Sequence, residues 1–219
     1  MKKTSWFVSA ALASLATLAA VCAPRPVRAD DKPAAPGGEP KKERPAAPAF
    51  KVKDVDGKER TLEEFKGKWV VLEWTNLGCP FVKKHYDPGT MQALQKTWTD
   101  KGVVWLSVCS SAPGKQGSME PDAWKQAIAE KKIASTAVLL DGDGTMGHAY
   151  GARTTPHLWV VCPKGTIWYT GAIDDNPSNA PESKATRNYV VEALEAGLAG
   201  KEPEVTETKP YGCSVKYAK

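Results

Sequence analysis

The chain has 219 residues and carries 30 Lys and Arg against 25 Asp and Glu, a formal net charge of +5 at pH 7. Its 42% hydrophobic and 25% charged content is that of a globular protein, which excludes a wholly disordered chain and a polytopic membrane protein. The charge excess would suit an acidic partner such as nucleic acid only if it lay on the folded surface, and it does not.

Lys2 and Lys3 precede an uncharged run that reaches Pro24, and "VRA" closes at Ala29. A basic start, an apolar stretch and a small-residue site are the parts of a secretory signal peptide, assigned to residues 1–29. The same stretch approaches a membrane span in length, so an uncleaved anchor is the alternative and the one route by which a membrane is involved. Cys22 fits a lipidation site poorly, because a valine stands where such sites take a small residue. Removing residues 1–29 takes away Lys2, Lys3, Arg25 and Arg28 and no acid, leaving +1. No nucleic-acid partner is therefore expected. The domain is expected to be periplasmic or secreted, where disulfides form and persist.

Residues 30–48, "DDKPAAPGGEPKKERPAAP", have almost nothing to bury and read as a semi-extended linker. A folded domain is expected over 49–200, followed by a tail, 201–219, that carries Cys213. "AFKVKDVDGKERTLEEF" predicts a strand, an Asp56–Gly57 turn, a short strand and a brief helical turn. The apolar run 68–75 reads as a buried central strand. Helical pattern runs from Pro80 to about Lys101, interrupted at Asp87–Pro88–Gly89. A second buried strand is predicted at 103–110, a helix over 120–132 with Pro121 in its first turn, and a third strand at 136–141. "DGDGT" lacks the later ligands of a calcium loop and reads as a turn into a short helix at 145–151. A hairpin of 156–162 with 166–173 and an amphipathic helix over 184–198 complete the order, which describes an α/β sandwich with a mixed central sheet between helices.

Four cysteines follow the export segment: Cys79, Cys109, Cys162 and Cys213. Cys79, in "LEWTNLGCPFVKKHY", leaves a buried strand and opens a helix, where unpaired N–H groups and the positive dipole end favour thiolate. Lys83, Lys84 and His85 in the next turn are expected to add positive charge. Thr155–Pro156, leading straight into a strand, suits a cis peptide bond that turns backbone groups toward a substrate. Cys109 ends a strand at the same sheet edge as Cys79, whereas Cys162 belongs at the far side and reads as a packed small hydrophobe. Three complete pairings of four cysteines are open. His85, His148 and His157 could imitate a copper site with Cys79, but such sites use paired cysteines that this segment lacks.

The segments "DVDGKERTLEEFKGKWVVLEWT", "GCPFVKKHY", "LLDGDGTMGHAYGARTTPHLWVV", "GAIDD" and "YGCSVKY" resemble the peroxiredoxin-like (redoxin, alkyl hydroperoxide reductase/thiol-specific antioxidant) branch of the thioredoxin superfamily, over about residues 50–217. The pairing of "CPFVK" with "GCSVK" resembles one subgroup of that branch. The resemblance implies a thioredoxin-like α/β/α sandwich with extra N-terminal strands and an insertion after the first helix. It places Cys79 at the attacking cysteine, Pro156 at the cis-proline and Thr155 at the residue whose backbone meets the substrate. Glu73 falls at a buried proton-moving acid, a role that desolvation inside "VVLEW" would suit by raising its pKa. Arg153 is the candidate for the arginine that peroxiredoxins keep beside the thiolate.

The sequence also departs from the pattern. Val82 and Asn76 fill the positions where a C-x-x-C partner would stand, so no vicinal dithiol exists. Thr75 stands four residues before Cys79, where the peroxiredoxin pattern has a threonine three before. A sulfenic acid on Cys79 needs a thiol to condense with, and Cys213, in a tail freed by Gly212, is the first candidate, with Cys109 the second. The expected function is an exported antioxidant peroxidase drawing on an external thiol reductant, with no cofactor and no resident metal. The alternatives are a thiol–disulfide oxidoreductase that holds a client disulfide against Thr155–Pro156, or a non-catalytic metal-binding or assembly module.

Overall fold

The computed structural model describes residues 43–180 and 184–219. The expected export segment and nearly all of the linker lie outside the described residues.

A small hairpin comes first: β1 (Lys51–Lys53) pairs antiparallel with β2 (Glu59–Thr61). Its turn is set by buried Asp54, whose carboxylate accepts from the backbone N–H groups of Asp56 and Lys58 and from Arg60 Nε at 2.8 Å. A 3-10 turn (Glu63–Phe65) leads to β3 (Val70–Trp74), every residue of which is buried. Then come α1 (Pro80–Tyr86), α2 (Thr90–Asp100), β4 (Val104–Cys109), α3 (Pro121–Lys131), β5 (Ala137–Leu140) and α4 (Thr145–Tyr150). The remaining elements are β6 (Thr154–Thr155), β7 (His157–Val161), β8 (Ile167–Gly171), α5 (Tyr189–Leu198) and β9 (Cys213–Ser214).

The central sheet has the order β5-β4-β3-β7-β8, with β3, β4 and β5 parallel and β7 and β8 antiparallel to their neighbours. Period-two alternation splits β3 between two cores. Val71 packs with Val82, Tyr86, Met91 and Trp98 of α1 and α2 and with Val190 and Leu194 of α5. Val70, Leu72 and Trp74 face the other way, onto Phe50, Phe65, Met146 and Tyr150. Trp74, Trp98, Trp105 and Trp124 are all fully buried. Truncating one to alanine should cost about 3–5 kcal/mol.

Parallel pairing places the ends of β3 and β4 at one sheet edge. Antiparallel β7 starts at that same edge, Trp74 lying opposite His157. Topology alone therefore gathers Cys79, Cys109 and Thr155–Pro156 there, and puts Cys162 at the opposite end.

Three boundaries differ from the sequence reading. The domain begins before residue 49: Arg44 lies 4.0 Å over the Trp168 ring, Ile167 N–H donates to Pro45 O and the Tyr150 hydroxyl to Pro48 O. Helix α5 starts at Tyr189 because the Asn188 side chain caps it, accepting from Val191 N–H at 3.0 Å. The tail is part of the fold. Thr206 and Thr208 hydrogen-bond the backbone of Thr170, Val215 N–H donates to Arg153 O at 3.0 Å, and β9 pairs antiparallel with β6.

Candidate active site

The loop between β3 and α1 is shaped by Asn76. Its side-chain oxygen accepts from Gly78 N–H at 2.9 Å, its amide donates to Gln116 O at 3.0 Å, and its backbone oxygen accepts from Cys79 N–H at 2.9 Å. Such an Asx turn fixes the exit from the strand and delivers Cys79 as the N-cap of α1, with Pro80 in the first helical position. Cys79 is completely buried.

The Thr155–Pro156 peptide bond is cis, as the sequence reading expects. Cys79 Sγ lies 3.1 Å from Thr155 O, and Cys213 stands directly opposite Thr155 in the β6–β9 pair. Gly212 permits that approach: its φ is +133°, and a Cβ there would fall 2.1 Å from Thr155 O. Cys213 is thereby placed beside Cys79, across the Thr155 carbonyl that both adjoin.

Burial by itself would raise the Cys79 thiol. The polar groups of Cys213 and Thr155 and the backbone N–H dipoles of Cys213 and Val82 outweigh it and hold Cys79 below the ordinary thiol range. Cys213 moves the opposite way, pushed up to about 11 by burial and by the neighbouring sulfur. One thiol is thus set to ionise and the other to keep its proton.

Two tyrosines hold the segment around Cys213. Tyr211 donates its hydroxyl to Asp174, lies 3.3 Å from His85 Nε2 and packs on Phe81. Tyr217 donates to Ala152 O at 2.9 Å, stacks on His148 and rests on Gly147, where a Cβ would fall 2.3 Å from its hydroxyl. Sequence reasoning missed both; aromatic residues spaced two before and four after the cysteine were the available signal.

The charge expected next to Cys79 is arranged differently. Burial depresses His85 to about 4, so it is neutral at pH 7. Lys84 turns to Asn176 O at 2.6 Å and toward Asp174 at 3.8 Å, and Lys83 is exposed. The thiolate therefore depends on hydrogen-bond donors rather than on these cations.

Glu73 is fully buried beneath α1 and α2. Its carboxylate accepts from Tyr86 at 2.7 Å, Trp105 Nε1 at 2.8 Å, Gln95 Nε2 at 3.0 Å and Ser107 at 3.4 Å. Burial raises its pKa and these four donors pull it back in part. None of these hydrogen bonds joins it to Cys79. Arg153 is exposed and, among the described residues, no hydrogen bond ties its side chain to Cys79; its charge acts on His157.

Cys109, although at the same edge, points into a separate apolar cluster with Val55, Trp124 and Val138, and its thiol lies 3.3 Å from Gly117 O. Burial raises its pKa. The three histidines have separate surroundings: His85 meets Tyr211, His148 stacks on Tyr217 and His157 on Trp159. Asp141 and Asp143 use their carboxylates to receive the first N–H groups of α4, which accounts for "DGDGT".

A cysteine capping a helix against a cis-proline, at the edge where parallel strands end, is the arrangement of thioredoxin-fold redox proteins, and this chain is one of them. An uncharacterized conserved protein from Geobacillus kaustophilus is 26% identical with a TM-score of 0.70, over 80% of this chain and 92% of that one. A hypothetical protein from Sinorhizobium meliloti 1021 is 22% identical with the same TM-score, over 82% and 97%, and shares the fold. So does a putative protein disulfide isomerase from Bacteroides thetaiotaomicron, 14% identical with a TM-score of 0.50, over 74% and 91%. No curated protein matches the chain. The pattern of the AhpC/TSA family matches residues 44–170, and the chain belongs to that family.

Proposed function

We propose that this redoxin is an exported thiol peroxidase, of a subgroup marked by "CPFVK" and "GCSVK", in which Cys79 is oxidised and Cys213 resolves it. The observation that carries the reading is the β6–β9 pairing, which stands Cys213 opposite Thr155, whose carbonyl lies 3.1 Å from Cys79 Sγ. The Cys79 thiolate attacks one peroxide oxygen, the O–O bond breaks, and the departing alkoxide or hydroxide takes a proton, leaving Cys79 sulfenic acid. Cys213 then forms the disulfide and water leaves. Two equivalents of an external thiol return both cysteines to the reduced state and are themselves oxidised. Thr155 and cis-Pro156 position the sulfur, and no cofactor enters any step. Glu73, accepting from Tyr86, holds α1 over the sheet.

The export assignment rests on the N-terminal basic, apolar and small-residue pattern, and the remaining charge of +1 supports no nucleic-acid partner. Full burial of Cys79 favours a small oxidant over a protein disulfide. The test is stopped-flow oxidation by hydrogen peroxide, followed by trapping of sulfenic acid. Rapid, stoichiometric oxidation of Cys79 supports the reading; a Cys79 that stays reduced while a peptide disulfide oxidises it overturns it in favour of thiol–disulfide exchange.

A further inference from the structure

Short extended peptides bind exposed strand edges by adding a strand, with the backbone supplying affinity. The edge of β6 is the place for such an addition, because Thr155 presents both its carbonyl and the adjoining cis-proline beside Cys79. In this structure the edge is taken by the chain itself. Residues 213–214 pair antiparallel with 154–155, and Cys213 stands opposite Thr155, whose carbonyl lies 3.1 Å from Cys79 Sγ, the place the cysteine of a docked strand would take.

We infer that residues 211–215 are an internal stand-in for a substrate strand, which keeps extended, disulfide-bearing chains off β6 and so restricts Cys79 to small oxidants. The inference deepens the peroxidase reading and rests on it for the identity of the oxidant. Gly212 is the specificity-determining position, since any side chain there collides with Thr155 O. Tyr211, on Asp174, and Tyr217, on Ala152 and α4, fix the segment on either side and so set where Cys213 lies along β6. β6 and β9 form a sheet of their own, so the segment can open without unfolding the five-stranded central sheet.

The test uses the full chain with Cys213→Ser, so that a mixed disulfide on Cys79 accumulates. The probe is the peptide KPYGCSVKY, a copy of residues 209–217, as its symmetric disulfide. Cys79 thiolate attacks one sulfur of the probe, forms a mixed disulfide with that half and releases the other as a thiolate. Iodoacetamide provides a small-molecule reference rate that does not depend on peroxidase chemistry. Adding Gly212→Val should raise the peptide rate relative to the iodoacetamide rate by about tenfold, the effect of losing one or two backbone hydrogen bonds. Tyr217→Phe, which keeps the ring and removes only the bond to Ala152 O, should raise the ratio by a smaller factor; it carries the test if Gly212→Val does not fold. A ratio unchanged in both variants, or the two rates rising together, would overturn the inference, because the segment would then be a general cover. Failure of the peroxidase reading shows separately, as a Cys79 left unoxidised by hydrogen peroxide whatever the ratio does.

Discussion

Two buried thiols lie at opposite ends of the β3–β7 pair, and burial does not tell them apart. Cys79 sits where β3 ends and β7 begins; Cys162 follows the end of β7, against the start of β3. In both, desolvation pushes the thiol up and neighbouring polar groups bring it below the ordinary value: those of Thr155 and the tail at Cys79, the Thr166 hydroxyl and turn amides at Cys162. Cys162 even borders a cavity of about 310 Å³, lined by Phe50, Leu62 and Phe65. Only the Cys79 end adds a second sulfur and a cis-proline edge. Thiolate stabilisation is thus shared between the two ends, and the pair of thiols we propose as a redox couple stands at one.

The largest effect should separate the two ends outright. Cys79→Ser should lower peroxide consumption by about 10³-fold or more, whereas Cys162→Ser should stay within about twofold. Comparable losses in both variants would dissolve the contrast. Cys213→Ser should keep the first oxidation but stop turnover, with Cys79 advancing to sulfinic acid under excess peroxide. Continued turnover on a thiol reductant would show that Cys213 is dispensable.

A third expectation concerns acid. His85 and His157 are held neutral, at about 4 and about 3, so the unfolded chain binds their protons first as pH falls. Stability should therefore decline from about pH 6.5 downward, by on the order of 2 kcal/mol per histidine at pH 4.5. His85→Gln should flatten its share of that slope in urea titrations, and an unaltered slope would place the titration elsewhere. Smallest is a shift in ionisation. A lowered thiol pKa means more thiolate at pH 7, so Cys79 alkylation should level off below the ordinary inflection. Cys213→Ala, which removes one S–H donor, should raise that inflection by about one unit without moving Cys162.

Much of the Cys79 end is legible locally. The strand–Gly–Cys–Pro–helix order, the Thr-Pro step before β7 and the alternation inside β3 each depend on a few adjacent residues. What escapes local reading depends on contacts between separate segments of the chain. "KPYGCSVKYAK" reads as a polar, freed tail because its partners, Thr155, Asp174 and Ala152, are far away in sequence. His85 reads as a cation beside the thiol, and only the packing of Tyr211 over it shows it to be neutral. Cys109 reads as a rival partner because topology puts it at the right edge, while its rotation into the Trp124 cluster is a matter of side-chain packing.

The most direct test of the couple is mass spectrometric mapping of cysteine pairing in the full chain before and after one equivalent of hydrogen peroxide. A single new Cys79–Cys213 disulfide, with Cys109 and Cys162 still alkylatable after denaturation, is the predicted result. A disulfide joining Cys79 to Cys109, or a stable sulfenic acid beside a free Cys213, would contradict the account.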